Sequence, residues 1–204
     1  MKICGITRPE DARLACDLGA DAIGVILVPR SKRCVDLDAA RRVRDAVDGL
    51  AALVMLVADA EAETIERAVD AVDPDLIQFH GSESPEACAR HGRPWLKALS
   101  HSVFEAEAGR YAGARGLVVD SHPPGALGGT GQTFDWTGFP GNIGGSLLLA
   151  GGLTPDNVGR AIEAARPYGV DVASGVESAP GIKDAALLER FFREVRRVDC
   201  SDKA

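Results

Sequence analysis

Short apolar runs alternate along this chain with longer segments whose apolar residues recur at helical spacing. The runs are Lys2–Cys4, Asp21–Leu27, Ala51–Val57, Asp75–Gln78, Trp95–Ala98, Gly116–Val119, Leu147–Ala150 and Gly169–Ala173. Between and after them lie Pro9–Leu18, Leu37–Val47, Ala60–Val72, Pro85–His91, Phe104–Ala112, Asn157–Ala165 and Asp184–Val198. Brief apolar runs predict buried strands, and the longer segments predict amphipathic helices. Strand then helix, repeated, predicts parallel βα units. Eight such units in about 200 residues fit a compact single-domain (β/α)8 TIM barrel. An open doubly wound sheet is the rival architecture, but no GxGxxG follows the first run, which weakens a dinucleotide-binding version.

The punctuation agrees with this division. Thr7-Arg-Pro9 and Thr154-Pro155 each set a capping hydroxyl before an early proline, as helix starts do. Gly19 follows the first helical segment, where a C-terminal glycine belongs. The helix expected after Thr133 is poorly marked, because Pro140 and several glycines shorten it. No linker or compositional break appears, so residues 1–198 are expected to form one domain and 199–204 a frayed polar tail.

Composition narrows the partners. With 46% hydrophobic and 26% charged residues, 204 residues suffice for one sizeable core. The formal net charge is −7, which argues against nucleic acid, whose phosphates demand basic patches. Small anions need only a few local donors and stay open. Cys4, Cys16, Cys34, Cys88 and Cys200 are odd in number, scattered and without a CxxC pair. They argue against a disulfide framework and a zinc site and for a reducing cytoplasm. Charge throughout the first 20 residues argues against a signal peptide, and no run is apolar enough to span a bilayer.

Barrel enzymes place their chemistry where strands finish, so the strand ends are the candidates. Cys4 ends the first run and is followed by Gly5. It is either a small buried hydrophobe or a thiolate base or nucleophile. Lys2 shares its parity, and a nearby ammonium would favour the thiolate. Asp120 closes the sixth run and opens a glycine-rich loop, Leu117 to Trp136 (LVVDSHPPGALGGTGQTFDW). It either caps that loop or works as an acid opposite Cys4. Arg33, in Pro29-Arg-Ser-Lys-Arg33, is a solvated basic residue or a guanidinium fork for a carboxylate. Gln78 and His80 end the fourth run, and His80 is either structural or a general acid or substrate contact. Lys97 ends the fifth. Asp171 either binds a sugar hydroxyl or pairs with Lys2 inside the barrel. Gly151 and Gly152 follow the seventh run, and Ser174, Gly175 and Val176 follow the eighth. Those turns are either ordinary βα connections or the usual phosphate site of this barrel class.

Taken together, the motifs form a recognisable series. Lys-Ile-Cys-Gly-Ile-Thr (2–7), Gly19-Ala-Asp-Ala-Ile-Gly24, Ser31-Lys-Arg33 and Gln78-Phe-His-Gly81 come first. Asp120, Gly128-Gly-Thr-Gly131, Phe134-Asp-Trp136 and Ala150-Gly-Gly-Leu-Thr-Pro155 follow. Val170-Asp-Val-Ala-Ser-Gly-Val-Glu177 and Pro180-Gly-Ile-Lys-Asp184 complete it. In these motifs the chain closely resembles the phosphoribosylanthranilate isomerases of tryptophan biosynthesis, from Lys2 to about Asp184.

The resemblance implies a barrel of ribulose-phosphate-binding type, monomeric, with no metal or organic cofactor. It implies an Amadori rearrangement of N-(5-phosphoribosyl)anthranilate. Cys4 matches the family's general base, Asp120 its general acid, and Arg33 the arginine that holds the anthranilate carboxylate. Gln78, His80, Gly129 and Asp171 are the expected further substrate contacts. Gly151, Gly152, Ser174, Gly175 and Val176 are the expected phosphate contacts. Asp120 must carry a proton when it acts, and its glycine-rich loop is expected to close over the substrate. The chain departs from the family at Val25-Ile-Leu-Val28 and Cys34, where aromatic residues are common. It departs again at Gln132, often a lysine, and at Ala173, often a serine. These departures bear on affinity more than on reaction type. Two other readings compete: a related sugar-phosphate barrel enzyme with catalytic lysines, for which Lys97 is the candidate, and a non-catalytic barrel that binds a phosphorylated ligand or a protein.

Overall fold

The computed structural model describes residues 1–121, 136–140 and 146–201. Eight parallel strands close into a barrel in sequence order. They are β1 (Lys2–Ile3), β2 (Ala22–Ile26), β3 (Ala52–Val57), β4 (Leu76–Phe79), β5 (Trp95–Ser100), β6 (Gly116–Asp120), β7 (Ser146–Leu149) and β8 (Gly169–Val172). The helices are α1 (Pro9–Asp17), α2 (Leu37–Val47), α3 (Ala62–Val72), α4 (Pro85–Ala89), α5 (Phe104–Glu107), α6 (Val158–Ala165) and α7 (Ala185–Ser201). Every predicted strand is present with its ends moved by at most two residues, and the doubly wound alternative is excluded by closure. Lys2 is in register with both Ala22 of β2 and Asp171 of β8, so the shortest strand completes the ring.

Alternation along each strand sorts the side chains. Ile3, Ile23, Val25, Leu53, Leu149, Val170 and Val172 face outward and pack with Ala12, Val43, Leu188, Phe191 and Phe192 of the helices. The opposite parity fills the barrel. Val54, Leu96, Ala98, Val118 and Ala150 form an interior apolar cluster. Lys2, Gln78, Asp120 and Asp171 share the inward parity, and all four are buried. The barrel is therefore largely apolar inside, with Gln78, Asp120 and Asp171 giving a polar lining toward the C-terminal ends of its strands.

Local signals explain several helix boundaries. The Asp36 carboxylate accepts the N–H of Ala39 at 2.7 Å and starts α2. Ser84 does the same for α4 through Ala87, with Pro85 at the first position. Gly19 follows α1 at φ +97°, as expected. Neither predicted threonine cap forms. The Thr7 hydroxyl instead donates to the Gly181 carbonyl at 2.5 Å, and Arg8 occupies the N-cap of α1. The Thr154 hydroxyl accepts from the Asp156 N–H, and α6 begins only at Val158.

The predicted fifth helix breaks into α5 flanked by 3₁₀ turns at His101–Val103 and Ala108–Tyr111. Gly109 in its second half weakens the α-helical ladder there. Between β6 and β7, a 3₁₀ turn at Trp136–Gly138 is what the described residues contain of the weakly marked sixth helix. An antiparallel hairpin, β9 (Glu177–Ala179) and β10 (Ile182–Lys183), follows β8 and has no counterpart in the predicted elements. Strands of two or three residues carry no readable period. The final helix continues to Ser201, past the predicted boundary at Val198.

The α2 cap gives a stability test. Asp36→Ala should cost about 1 kcal/mol in urea unfolding, with the far-ultraviolet spectrum of the folded state unchanged.

Candidate active site

The polar lining and the loops above it frame one cavity at the C-terminal end of the barrel. Cys4, Arg33, Gln78, His80, Asp120, Gly151, Gly152, Asp171 and Ser174 all line it. Nine of the predicted site residues thus meet, although they span the chain from residue 4 to residue 174. Gly175 and Val176 lie just behind, in the 3₁₀ turn Ser174–Val176. The Val176 side chain is fully buried in the core, so only its backbone is left for a ligand. Gly129 and Gln132 lie outside the described residues, as does most of the expected lid.

Cys4 sits in an apolar wall made with Ile26, Val28 and Leu56. Ile26 and Val28 come from the departing run Val25–Val28, so the cavity is flanked there by aliphatic side chains. Burial raises the Cys4 thiol above its ordinary range, and the Lys2 ammonium lowers it only in part. Lys2 thus favours the thiolate, as expected of a nearby ammonium, but desolvation of the charged sulfur outweighs the cation. Much of Lys2 is committed elsewhere. Its Nζ donates to Asp171 Oδ2 at 2.7 Å, and both side chains are buried. Of the two readings for Asp171, the pairing with Lys2 is realised, while Oδ1 has no hydrogen-bond partner.

Asp120 ends β6, and His80 Nε2 lies 4.0 Å from its Oδ2. Burial lowers the pKa of His80, against the pull of Asp120. Burial thus favours the neutral imidazole of His80 beside the carboxyl group. His80 Nδ1 and Gln78 Oε1 are buried and unpartnered, like Asp171 Oδ1. Buried polar atoms without partners cost about 1–3 kcal/mol each, and here three of them belong to side chains lining one cavity.

The turns after β7 and β8 are held tightly together. Gly151 has φ +88°, and a side chain there would run into Ser121. At Gly175 a Cβ would fall 1.8 Å from the Leu153 carbonyl oxygen. Only glycine permits these close approaches. Asn157, absent from the predicted set, pins the first turn: its amide donates to Gly152 O at 2.9 Å and its Oδ1 accepts the Thr154 N–H at 2.8 Å. An amide three residues after Thr154 was the sequence signal for it. Ala173 lines the cavity between β8 and this turn.

Arg33 is placed differently from the open fork expected of it. Its Nε and Nη2 donate to the two carboxylate oxygens of Glu177, at 2.8 and 2.7 Å. That edge of the guanidinium is taken by the chain itself. Lys97 is not at the site. On β5 it has the outward parity, and its ammonium donates to Glu83 Oε2 at 2.8 Å and Gly81 O at 2.5 Å. It also stands 5.5 Å from the Tyr111 ring. The lysine on which the catalytic-lysine reading relied is therefore away from the cavity. No cluster of metal-ligating side chains occurs among the described residues, and no described helix is long and apolar enough to cross a membrane.

A closed parallel barrel whose strand ends open onto a cavity is the architecture of the (β/α)8 barrel enzymes, which keep their active sites at that face. The family model described as N-(5'phosphoribosyl)anthranilate (PRA) isomerase matches residues 1–194. The chain belongs to that family. An N-(5'-phosphoribosyl)anthranilate isomerase of Pseudomonas putida is 47% identical over 199 residues, covering 96% of this chain and 97% of the relative. One of Pseudomonas aeruginosa is 48% identical, covering 96% and 94%. The crystal structure of phosphoribosyl anthranilate isomerase from Thermotoga maritima has a TM-score of 0.85 at 33% identity, covering 96% of this chain and 98% of that chain. A further crystal structure of phosphoribosyl anthranilate isomerase, in complex with reduced 1-(o-carboxyphenylamino)-1-deoxyribulose 5-phosphate, has a TM-score of 0.81 at 32% identity, covering 96% of this chain and 97% of that chain.

The environment of Lys97 predicts a separation of stability from activity. Lys97→Met should destabilise the fold by about 3 kcal/mol, because Glu83 is left as a buried unpaired charge. The turnover number of the folded fraction should stay at the wild-type value.

Proposed function

We propose that Cys4 and Asp120 are the base and the acid of the isomerisation that this family performs, and that the two anionic ends of the substrate are held at Arg33 and at the turns after β7 and β8. The reaction converts N-(5-phosphoribosyl)anthranilate to 1-(2-carboxyphenylamino)-1-deoxyribulose 5-phosphate, an aldose–ketose isomerisation of tryptophan biosynthesis. The observation that carries the assignment is that Cys4 and Asp120, from β1's end and β6, line the same cavity.

Asp120 in its acid form gives a proton to the ribose ring oxygen, and the C1′–O bond breaks as the anilino nitrogen forms an iminium. The iminium acidifies the proton on C2′. Cys4, as thiolate, removes that proton and leaves an enolamine, which takes a proton at C1′ to become the ketone. Protons move, and no atoms are gained or lost. A neutral His80 beside Asp120 supports the acid role, since a cation there would favour the carboxylate. The unpartnered oxygens of Gln78 and Asp171 are acceptors, and ribose hydroxyls are the matching donors. Gly151, Gly152, Ser174 and the backbone of Gly175 and Val176 are the phosphate contacts in this reading. Anchoring both ends positions the reacting carbons between acid and base. A glycine-hinged lid from the loop after Asp120, including Gly129, belongs to the same proposal. So do a monomeric state and a cytoplasmic location, which the scattered cysteines support.

The reading is tested by following the loss of phosphoribosylanthranilate fluorescence. The wild-type chain should turn the substrate over, and no turnover would overturn the assignment. Cys4→Ser and Asp120→Asn should each lower kcat by about 10²-fold or more; a near-normal rate in either removes that residue from catalysis. Because burial raises the Cys4 thiol, the thiolate fraction, and with it kcat/KM, should climb as pH rises above neutrality. Lys2→Met removes a cation that stabilises the thiolate, so this rising limb should move to higher pH.

A further inference from the structure

The hairpin β9–β10 brings two charged side chains against Arg33, and neither has a part in the chemistry above. Glu177 holds one edge of the Arg33 guanidinium by two hydrogen bonds. Lys183 Nζ donates to Glu177 Oε1 at 2.9 Å, to the Cys4 carbonyl at 2.7 Å and to the Ala173 carbonyl at 2.9 Å. Three acceptors match the three N–H groups of an ammonium and leave no donor for a ligand; burial lowers the Lys183 pKa, and Glu177 opposes that shift. The Glu177 side chain is 4% exposed and that of Lys183 is 0% exposed. Asp11 accepts the Lys183 backbone N–H, but Arg8 already balances its charge with two hydrogen bonds.

The cluster therefore holds two cations and one carboxylate, and one positive charge is left without a partner inside it. Of the five guanidinium N–H groups of Arg33, two go to Glu177, so three remain for the cavity that Arg33 lines. We infer that Glu177 and Lys183 are positioning residues that set the specificity for a carboxylate on the substrate: Glu177 orients Arg33, and Lys183 supplies the charge that Glu177 would otherwise cancel. Without Lys183, Arg33 and Glu177 form a neutral pair with little attraction for an anion. Without the Glu177 charge, two buried cations repel each other and the guanidinium loses its orientation. Lys183 also ties the end of β1 to the exit of β8, so the cation sits in a fixed place relative to Cys4.

This inference rests on the reading that Arg33 receives the anthranilate carboxylate, and the experiment separates the two. Two ligands are titrated calorimetrically: reduced 1-(o-carboxyphenylamino)-1-deoxyribulose 5-phosphate and its counterpart made from aniline, which lacks the carboxylate. The ratio of their dissociation constants measures carboxylate recognition alone. Arg33→Met should collapse the ratio; if it does not, the Arg33 reading itself fails. Lys183→Met and Glu177→Gln should each lower the ratio by about tenfold, with binding of the aniline ligand nearly unchanged. Glu177→Asp, which keeps the charge, should recover part of it. A ratio at the wild-type value in Lys183→Met or Glu177→Gln, with collapse in Arg33→Met, overturns the inference. Thermal melting identifies which variants fold. Should Lys183→Met and Glu177→Gln both fail to fold, Glu177→Asp decides: a fully wild-type ratio there overturns the inference, and an intermediate ratio upholds it.

Discussion

The barrel closes through β1, a strand of two residues, and everything at the site depends on that closure. Lys2 and Ile3 pair with β2 on one side and β8 on the other. Few backbone hydrogen bonds are available at so short a strand, so side chains reinforce the seam. The Lys2 ammonium is bonded to Asp171 of β8 inside the barrel, and Lys183 joins the Cys4 and Ala173 carbonyls at its upper end. Ile3, fully buried, adds outward packing against the helical layer. The ring thus brings the cysteine at the first strand's end to the same cavity as the aspartate ending the sixth.

Three of the buried charge clusters among the described residues differ in outcome, as geometry sets it. Lys2 and Asp171 are a balanced pair within the barrel and leave one carboxylate oxygen unpartnered toward the cavity lining. Lys97 and Glu83 are also balanced but lie on the outward face of β5 and β4's loop, where they fasten structure. Arg33, Glu177 and Lys183 are unbalanced by one charge beside the cavity. A buried ion pair is weak evidence of stabilisation, because desolvation offsets much of the attraction. What these groups supply is a defined direction and sign of charge at defined points. The apolar wall of Ile26, Val28 and Leu56 acts oppositely on Cys4, holding its sulfur protonated until conditions favour the thiolate.

Much of this was legible in the chain. Apolar runs separated by amphipathic segments define strands and helices locally, and eight repeats leave few ways to bury them other than a closed barrel. Strand-end positions then nominate Cys4, His80, Asp120, Gly151 and Ser174, because the fold gathers strand ends. Parity along a strand also carries information: it separates inward Gln78 from outward Lys97, which position at the strand end alone did not. Caps were less legible. Asp36 and Ser84 cap helices, yet the Thr7 hydroxyl is drawn instead to the Gly181 carbonyl, 174 residues away in sequence. The hairpin that carries Glu177 and Lys183 is too short to register as a period, although both residues stand in motifs that mark the family.

The sequence by itself determined the architecture, the strand-end residues and the motifs of the family, since these depend on local pattern and on order along the chain. Only the tertiary structure decided the burial that raises the Cys4 thiol, the partner of Arg33 and the placement of Lys97 away from the cavity. Each of those depends on which groups lie within a few ångströms across the barrel, and on how much water remains there. Distance through space and dielectric surroundings are properties of the folded chain, and no spacing in the sequence encodes them directly.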